Sequence, residues 1–217
     1  MKRITTVIFD LDGTLLNTLE DLANSTNYAL GQFGFPLRSV DEVRSFVGDG
    51  VRKLIERALP SADNEQSVDA VLDSFKQHYV KHCQVKTCLY PGIKELLSVL
   101  NSKGYKLAIV SNKLQSGVDE LYKQYFVDNI QVAIGERAGL SRKPAPDMVL
   151  MVLDELGVNK NETLYVGDSE VDVATAKASG ISCVSVLWGF RDKEFLEQHG
   201  AEYFINTPME LLTLLEE

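Results

Sequence analysis

The sequence predicts an α/β protein with a doubly wound, mostly parallel sheet and a helical segment inserted near its start. Short runs rich in Val and Ile alternate with helical patterns, which is the rhythm of βα units. The runs are almost continuously apolar, as expected of parallel strands that are covered on both faces. A long stretch, residues 10–104, separates the first run from the second, so one connection carries far more chain than a crossover needs.

Six runs are predicted to be strands: residues 4–9, 105–110, 130–134, 163–166, 181–186 and 203–205. In the long connection, a helix after Pro91 has an apolar face that includes Leu96 and Leu100, and it ends at Gly104. This helix already supplies the crossover to the second strand. The chain before it is therefore not needed to complete one βαβ unit. We therefore predict a core formed by residues 1–15 and 85–217 and a helical domain formed by residues 16–84.

Helical spacing within the inserted segment supports this division. Apolar residues recur with a helical period from Leu15 through Leu19 and Leu22 to Phe33. Residues 43–47, 51–59 and 68–80 also have helical patterns.

Composition limits the possible functions. The formal net charge of the 217-residue chain is −9, which disfavours binding to the phosphates of nucleic acids. The three cysteines, Cys83, Cys88 and Cys183, have neither disulfide-framework nor zinc-site spacing, and we expect free thiols. The first residues lack the pattern of a signal peptide, and no apolar run approaches the ~20 residues that span a bilayer. We expect a cytoplasmic protein that acts on a small ligand and binds no membrane or nucleic acid.

Polar residues follow three of the predicted strands at the point where each strand ends. Asp10 and Asp12 follow the first strand, Ser111 and Asn112 the second, and Asp168 the fourth. Ligands of open α/β sheets bind beyond the carboxyl ends of the strands. We therefore expect these side chains, together with Asp172 and Lys143, to meet at one edge of the sheet.

Carboxylates crowded in this way repel one another unless a cation joins them. A hard divalent ion with oxygen ligands relieves the repulsion, and Mg²⁺ is the usual ion beside phosphate. Asp10 and Asp168 are the predicted direct ligands, and Lys143 adds a fixed positive charge. Ser111 and the backbone amides of the "DLDGT" turn supply donors, so the residue types predict a site for phosphate oxygens.

The pattern resembles the haloacid dehalogenase superfamily of phosphatases. "DLDGT", the "SN" after the second strand, "KPAP" and "GDSEVD" match its four motifs in order and in the expected strand contexts. Together the motifs span the whole core. The inserted segment resembles the helical cap of that family.

The resemblance implies a nucleophile and an acid/base. Asp10 would attack phosphorus and form an aspartyl-phosphate, while Asp12 would protonate the leaving alcohol and then activate water. Ser111 would bind phosphoryl oxygens, and Lys143 would neutralise charge on the phosphoryl group and on Asp10.

The resemblance also implies a metal centre. Asp10, Asp168 and the backbone carbonyl of Asp12 would hold Mg²⁺, and Asp172 would ligate through water or orient Lys143. The supporting residues around the motifs are Gly13, Thr14, Asn112 and Asp172.

Each motif has an ordinary structural alternative. Asp and Gly suit turns, so Asp12 and Gly13 could form only a turn. Ser111 and Asn112 could cap the next helix, and Lys143 could be a solvated loop residue.

Asp168 and Ser169 could be an N-cap pair, and Asp172 could be a first-turn acid that complements the helix dipole. The order of the four motifs and their common position at one sheet edge favour a catalytic role over these structural alternatives.

The inserted segment should select the substrate. Gly48 and Gly50 lie just before a helix, where free backbone amides favour an anion such as a carboxylate. This stretch, and the "VLWGFRD" segment with Trp188, resemble phosphoglycolate phosphatases. Arg52 and Arg44 are candidates to contact the carboxylate. A Mg²⁺-dependent phosphatase of small phosphorylated metabolites, with 2-phosphoglycolate as the first choice, is the leading hypothesis.

Several alternatives stay open at this stage. A pyrophosphatase and a phosphosugar phosphatase or mutase would use the same scaffold, and a phosphate-binding or interaction module without catalysis would come from another class. A haloacid dehalogenase is disfavoured because that chemistry lacks the acid at position 12. The oligomeric state, monomer or homodimer, is open.

Overall fold

A computed structural model describes residues 4–60 and 65–216. Residues 1–3 and 217 of the predicted core, and 61–64 of the predicted inserted segment, lie outside the described residues. Six parallel strands form one sheet. The prediction of a doubly wound α/β fold is confirmed.

Every predicted run overlaps a strand of this sheet. The strands are β1 (Thr6–Phe9), β4 (Lys106–Leu114), β5 (Val132–Glu136), β6 (Thr163–Gly167), β7 (Ser182–Val186) and β8 (Phe204–Ile205), and they lie in the order β5–β4–β1–β6–β7–β8. Strands β4, β5 and β6 extend beyond the predicted ends of their runs. Two further strands, β2 (Leu16–Asn17) and β3 (Cys88–Leu89), form a separate antiparallel ribbon. The helices are α1 (Leu19–Gln32), α2 (Val40–Phe46), α3 (Val51–Ala58), α4 (Glu65–His82), α5 (Ile93–Ser102), α6 (Gln115–Tyr125), α7 (Asp147–Leu156), α8 (Glu170–Ser179), α9 (Lys193–Gln198) and α10 (Glu210–Glu216).

The central strand β1 shows why the runs are continuously apolar. Val7 and Phe9 pack into the hydrophobic cluster on one face of the sheet, with helices α5 and α6. Ile8, between them, packs into the cluster on the other face, with α7. Successive side chains of a strand point to opposite faces, so a sheet covered on both faces needs apolar residues at every position.

Helices α1 to α4 share a hydrophobic cluster of their own, which includes Leu30, Leu54, Val71 and Phe75. Two details differ from the sequence prediction. Leu15 belongs to the cluster of the sheet, and the first helix begins only at Leu19. Phe33, assigned to the apolar face of that helix, is 47% exposed.

Helix α2 begins earlier than predicted, at Val40. The Ser39 hydroxyl accepts a hydrogen bond from the Glu42 amide, and the Glu42 carboxylate accepts one from the Ser39 amide. This capping box starts the helix before its first buried residue, Val43.

The two connections between the sheet and helices α1 to α4 lie side by side. Leu16 pairs with Leu89 and Asn17 with Cys88 in the β2–β3 ribbon.

Among the residues that the structure describes, no helix combines the length and the apolar character needed to cross a membrane.

Candidate active site

A buried lysine lies between two carboxylates at the carboxyl edge of the sheet. The Lys143 Nζ lies 2.8 Å from Asp10 Oδ1 and 2.8 Å from Asp172 Oδ1. Asp10 follows β1, and Asp172 lies in the first turn of α8, where its other oxygen accepts from the Ser169 amide and hydroxyl. Lys143, Asp10 and Asp172 are all buried. The structure thus brings together residues from three separate motifs.

Asp168 is fixed by contacts from both sides. One carboxylate oxygen accepts from the Thr14 hydroxyl at 3.3 Å, and the other from the Phe190 amide at 2.7 Å. Gly13 has a φ of +88°, and a Cβ there would lie 2.3 Å from Asp168 Oδ2. The "DLDGT" turn therefore needs glycine both for its backbone conformation and for the approach of Asp168.

Three carboxylates converge in this region. Asp10, Asp168 and Asp172 each offer an oxygen within 4.8 Å of the others, and all three are buried. Burial raises the pKa of Asp10 well above its ordinary value and the charge of Asp172 raises it further, while Lys143 lowers it. Burial and Asp172 likewise raise the pKa of Asp168 to about 7.

These observations fit a bound divalent cation. The donors are carboxylate oxygens, which hard cations such as Mg²⁺ prefer. Burial is the main cause of the raised pKa values of Asp10 and Asp168, repulsion from Asp172 adds to it, and Lys143 only partly offsets both. The Asp12 carboxylate is not part of this cluster of three among the described residues.

Ser111 and Asn112 continue strand β4 beyond its predicted end. Helix α6 has Leu114 at its N-cap and no side-chain hydrogen bond there, so neither residue caps that helix. Asn112 accepts from the Lys143 amide at 2.8 Å and donates to the Lys143 carbonyl at 3.0 Å and the Gly48 carbonyl at 3.1 Å. Asn112 therefore holds the backbone of the lysine loop and touches the inserted segment.

Sequence reasoning missed Lys113. The Nζ of this buried lysine lies 2.9 and 3.2 Å from the two oxygens of Asp12 and 2.5 Å from the Tyr79 hydroxyl. Burial lowers the pKa of Lys113, but Asp12 and Tyr79 more than offset this, so the pKa lies above its ordinary value. Its place directly after "SN" was the available signal, but the pattern does not show where the side chain points.

Helices α1, α3 and α4 close over this edge of the sheet and leave a cavity of about 50 Å³. Gly48 and Gly50 line it, as do Asp10, Asp12, Ser111, Lys143 and Asp168. Arg191, which the sequence prediction omitted, also lines it and contacts Glu170.

The predicted arginines of the inserted segment are engaged elsewhere. The Arg52 guanidinium pairs with Asp69 and Glu56, and Arg52 is not among the described residues that line the cavity. Arg44 donates to the carbonyls of Phe190 and Gly189. Arg44 is likewise not among the described residues that line the cavity.

Comparisons with known proteins identify relatives of this chain. A family model described as haloacid dehalogenase-like hydrolase matches residues 7–186. The phosphoglycolate phosphatase of Aquifex aeolicus is 33% identical over 214 residues, 97% of this chain and 96% of that protein. The phosphoglycolate phosphatase of Chromobacterium violaceum is 31% identical over 221 residues, 100% of this chain and 98% of that protein.

Solved structures show the same likeness. A protein from Lactobacillus delbrueckii subsp. bulgaricus, provisionally named phosphoglycolate phosphatase, has a TM-score of 0.94 at 36% identity and covers 98% of each chain. A predicted phosphoglycolate phosphatase from Haemophilus somnus has a TM-score of 0.90 at 28% identity and covers 99% of each chain.

The fold and the matched model define a hydrolase with a doubly wound core. The chain belongs to the haloacid dehalogenase-like hydrolase family. The relatives confirm the prediction of an enzyme of the phosphoric monoester hydrolase class that is similar to phosphoglycolate phosphatases.

Proposed function

We propose that this enzyme is a Mg²⁺-dependent phosphatase of small phosphomonoesters and that 2-phosphoglycolate is its first-choice substrate. The convergence of Asp10, Asp168 and Asp172, two of which contact Lys143, carries the proposal, since it combines a nucleophile, a cation site and a fixed positive charge. The proposal also takes residues 16–84 as a cap that covers the site.

Asp10 is the proposed nucleophile. One of its carboxylate oxygens attacks phosphorus, the bond from phosphorus to the ester oxygen breaks, and an aspartyl-phosphate forms. Asp12 gives its proton to the departing oxygen, so the alcohol leaves neutral. Lys143, 2.8 Å from Asp10, offsets negative charge on the phosphoryl group, and Ser111 donates to a phosphoryl oxygen.

The second step regenerates the enzyme. Asp12, now ionised, takes a proton from water as the water oxygen attacks phosphorus. The bond from phosphorus to Asp10 breaks, which releases inorganic phosphate and leaves Asp10 ionised and Asp12 protonated. Because phosphoryl transfer depends mainly on positioning and charge neutralisation, the described cluster supplies the needed groups without histidine.

Asp10, Asp168 and the backbone carbonyl of Asp12 would hold Mg²⁺, with Asp172 orienting Lys143 at 2.8 Å. When bound, the ion would offset the charge of the phosphoryl oxygens and of the carboxylates.

Two observations favour a small acidic substrate. The cavity is far smaller than the ~300–1,000 Å³ of a drug-sized pocket. Gly48 and Gly50 line it at the start of α3, where a helix N-terminus favours an anionic group. The relatives named phosphoglycolate phosphatase support the same substrate class, because 2-phosphoglycolate is a small acidic phosphate ester.

A substrate panel tests the proposal. Release of inorganic phosphate would be measured with and without Mg²⁺ for 2-phosphoglycolate, several sugar phosphates, pyrophosphate and p-nitrophenyl phosphate. We expect the highest kcat/KM for 2-phosphoglycolate. Better turnover of many sugar phosphates, or of pyrophosphate, would remove 2-phosphoglycolate as the substrate while leaving phosphatase activity in place.

The Asp10→Asn variant tests the nucleophile. It keeps the side-chain shape but loses the attacking carboxylate, and we expect hydrolysis of p-nitrophenyl phosphate to fall by at least ~10³-fold. Asp73→Asn, at a position whose side chain is 73% exposed, is the matched control and should keep full activity. Normal metal-dependent hydrolysis by Asp10→Asn would exclude Asp10 as the nucleophile.

A further inference from the structure

We propose that Lys113 is a positioning residue that fixes the carboxylate of Asp12. In this proposal the Tyr79 hydroxyl on α4 holds Lys113 in place when the helical segment, helices α1 to α4, is closed over the sheet. The inference rests on the proposed function, because it concerns the acid/base of that reaction. It adds two residues that no motif of the family resemblance includes.

The contact between Lys113 and Asp12 is bidentate and shielded. The Lys113 Nζ lies 2.9 Å from one oxygen of Asp12 and 3.2 Å from the other. The Lys113 side chain is 3% exposed and that of Asp12 is 14% exposed. A buried ammonium is costly unless its partners have good geometry, so the pair constrains both side chains. Because a carboxyl group keeps acceptor capacity when it is protonated, Lys113 can orient Asp12 both as the acid and as the base.

The backbone and stem of Lys113 are fixed as well. Its amide donates to the Ser111 hydroxyl at 3.2 Å, so one residue touches both the proposed phosphoryl-binding serine and the acid/base. The stem passes close to Gly117 of α6, where an added Cβ would lie 3.4 to 3.6 Å from its carbons. The ammonium therefore extends from a rigid strand end rather than from a free loop.

Tyr79 connects this pair to the helical segment. Its hydroxyl lies 2.5 Å from the Lys113 Nζ, and its ring centroid lies 4.7 Å from the same atom. The ring stacks on Phe75 within the hydrophobic cluster of helices α1 to α4. Movement of α4 away from the sheet would remove Tyr79 from Lys113 and would leave Asp12 with a less constrained partner.

A general acid acts only when it is held within reach of the leaving oxygen, and small displacements reduce the rate strongly. An alkyl phosphate needs a proton on its leaving oxygen, whereas p-nitrophenolate leaves without one. Loss of Asp12 positioning should therefore affect the first step of alkyl phosphate hydrolysis much more than that of p-nitrophenyl phosphate.

The test compares kcat/KM for the two kinds of ester, because kcat/KM reports the steps up to phosphoryl transfer. For Lys113→Met with Mg²⁺, we expect kcat/KM to fall roughly 100-fold for 2-phosphoglycolate and less than about 10-fold for p-nitrophenyl phosphate. For Tyr79→Phe, which keeps the stacked ring, we expect a loss of about 5- to 10-fold with the same preference.

Lys123→Met is the matched control. Lys123 also lies on the core, on α6, but it is exposed and pairs with Glu120, and its loss should change neither ester by more than about twofold. Thermal melting of each variant separates local from global effects. If Lys113→Met does not fold, the inference is tested with Tyr79→Phe instead.

Equal losses for the two esters would overturn the inference, since this pattern indicates general phosphate binding. Unchanged kcat/KM for 2-phosphoglycolate in Lys113→Met, or in Tyr79→Phe where Lys113→Met does not fold, would overturn it as well. If the unmodified enzyme hydrolysed no phosphate ester in the presence of Mg²⁺, the proposed function itself would fail, which is a distinct outcome.

Discussion

A Cβ atom added at Gly189 would lie 2.3 Å from the Cβ of Asp168 and 2.6 Å from its Oδ2. No side chain fits in that space, so the loop after β7 must carry glycine at this position. The next residue, Phe190, donates its amide hydrogen to Asp168 at 2.7 Å. The loop therefore fixes the orientation of this proposed metal ligand by leaving space at one residue and supplying a hydrogen bond at the next.

The Gly189→Ala variant should displace Asp168 or the loop. Since a displacement of about 1 Å can reduce catalysis ~10²-fold, we expect a loss of that order in kcat/KM for p-nitrophenyl phosphate. The apparent affinity for Mg²⁺, measured from the metal dependence of the rate, should weaken in parallel.

Gly31→Ala provides the control for this prediction. Gly31 lies within α1, and an added Cβ there would have its nearest neighbour, Leu37 Cδ2, at 3.9 Å. Alanine should leave activity unchanged and stabilise the helix by roughly 0.5–1 kcal/mol. Full activity and unchanged Mg²⁺ dependence in Gly189→Ala would contradict the assigned role of the glycine.

Asp21 ties α1 to the second connection. Its buried carboxylate accepts from the Lys86 amide, the Thr87 amide and the Thr87 hydroxyl, at 2.9 to 3.0 Å. Asp21→Ala should lower the free energy of unfolding by about 3 kcal/mol, because the buried donors lose a charged acceptor. Urea denaturation measures this change.

Asp69→Ala is the matched control for Asp21. Asp69 is 61% exposed and pairs with Arg52, so its loss should change the free energy of unfolding by less than about 1 kcal/mol. If Asp21→Ala were no more destabilising than Asp69→Ala, the carboxylate would not be the main tie between these segments.

The sheet was predictable because each strand is buried on both faces. Val7, Ile8 and Phe9 are apolar in succession, and only a covered strand needs such a run. The β2–β3 ribbon was not predictable, since two residues per strand give no periodicity to detect. The start of the first helix at Leu19 was also missed, because Leu15 matches the helical spacing but packs against the sheet.

One part of the candidate site was also predictable from the sequence, and another part was not. Asp10, Ser111 and Asp168 could be expected together because parallel strands end at one edge. The contacts of Lys113 with Asp12 and with Tyr79 join residues 101 and 34 positions apart. The contact with Asp12 arises because β1 and β4 end side by side, and the contact with Tyr79 arises only when α4 packs on the sheet. Both contacts depend on where the Lys113 side chain points, which no local pattern in the sequence indicates.

Arg191 and Arg44 form a reciprocal contact between the sheet and the helical segment. Arg191 donates to the Arg44 carbonyl at 3.0 Å and to the Val47 carbonyl at 2.7 Å, while Arg44 donates to the Phe190 carbonyl at 2.8 Å. We expect Arg191→Ala to favour an open arrangement, with a larger radius of gyration by small-angle X-ray scattering and a KM for 2-phosphoglycolate raised about 10-fold.

Arg38→Ala serves as the control, since the contacts of Arg38 with described residues all lie within the helical segment, at Glu42, Asn27 and the Ala58 carbonyl. Hinged closure also predicts that Mg²⁺ and a phosphate mimic reduce the radius of gyration of the unmodified enzyme. An identical radius with and without these ligands, in both the unmodified enzyme and Arg191→Ala, would rule out gating by the helical segment.

The buried carboxylates predict how pH and Mg²⁺ act together on stability. Burial, followed by the charge of Asp172, raises the pKa of Asp168 from 3.8 to about 7. Because the pKa is higher in the folded state, the contribution of Asp168 to stability is present below about pH 4 and is lost as the pH rises through about 7. Mg²⁺ binds the ionised form, so it should raise Tm more at pH 8 than at pH 5.

Thermal melting at pH 5 and pH 8, with Mg²⁺ or with a chelator, measures this difference. Asp168→Asn removes the titrating group and a proposed ligand, so it should flatten the pH dependence of the metal-free protein and reduce the increase in Tm caused by Mg²⁺. Asp73→Asn, at an exposed position, should behave like the unmodified protein. A Mg²⁺ effect that is equal at both pH values, or larger at pH 5, would show that the ion does not bind to these carboxylates.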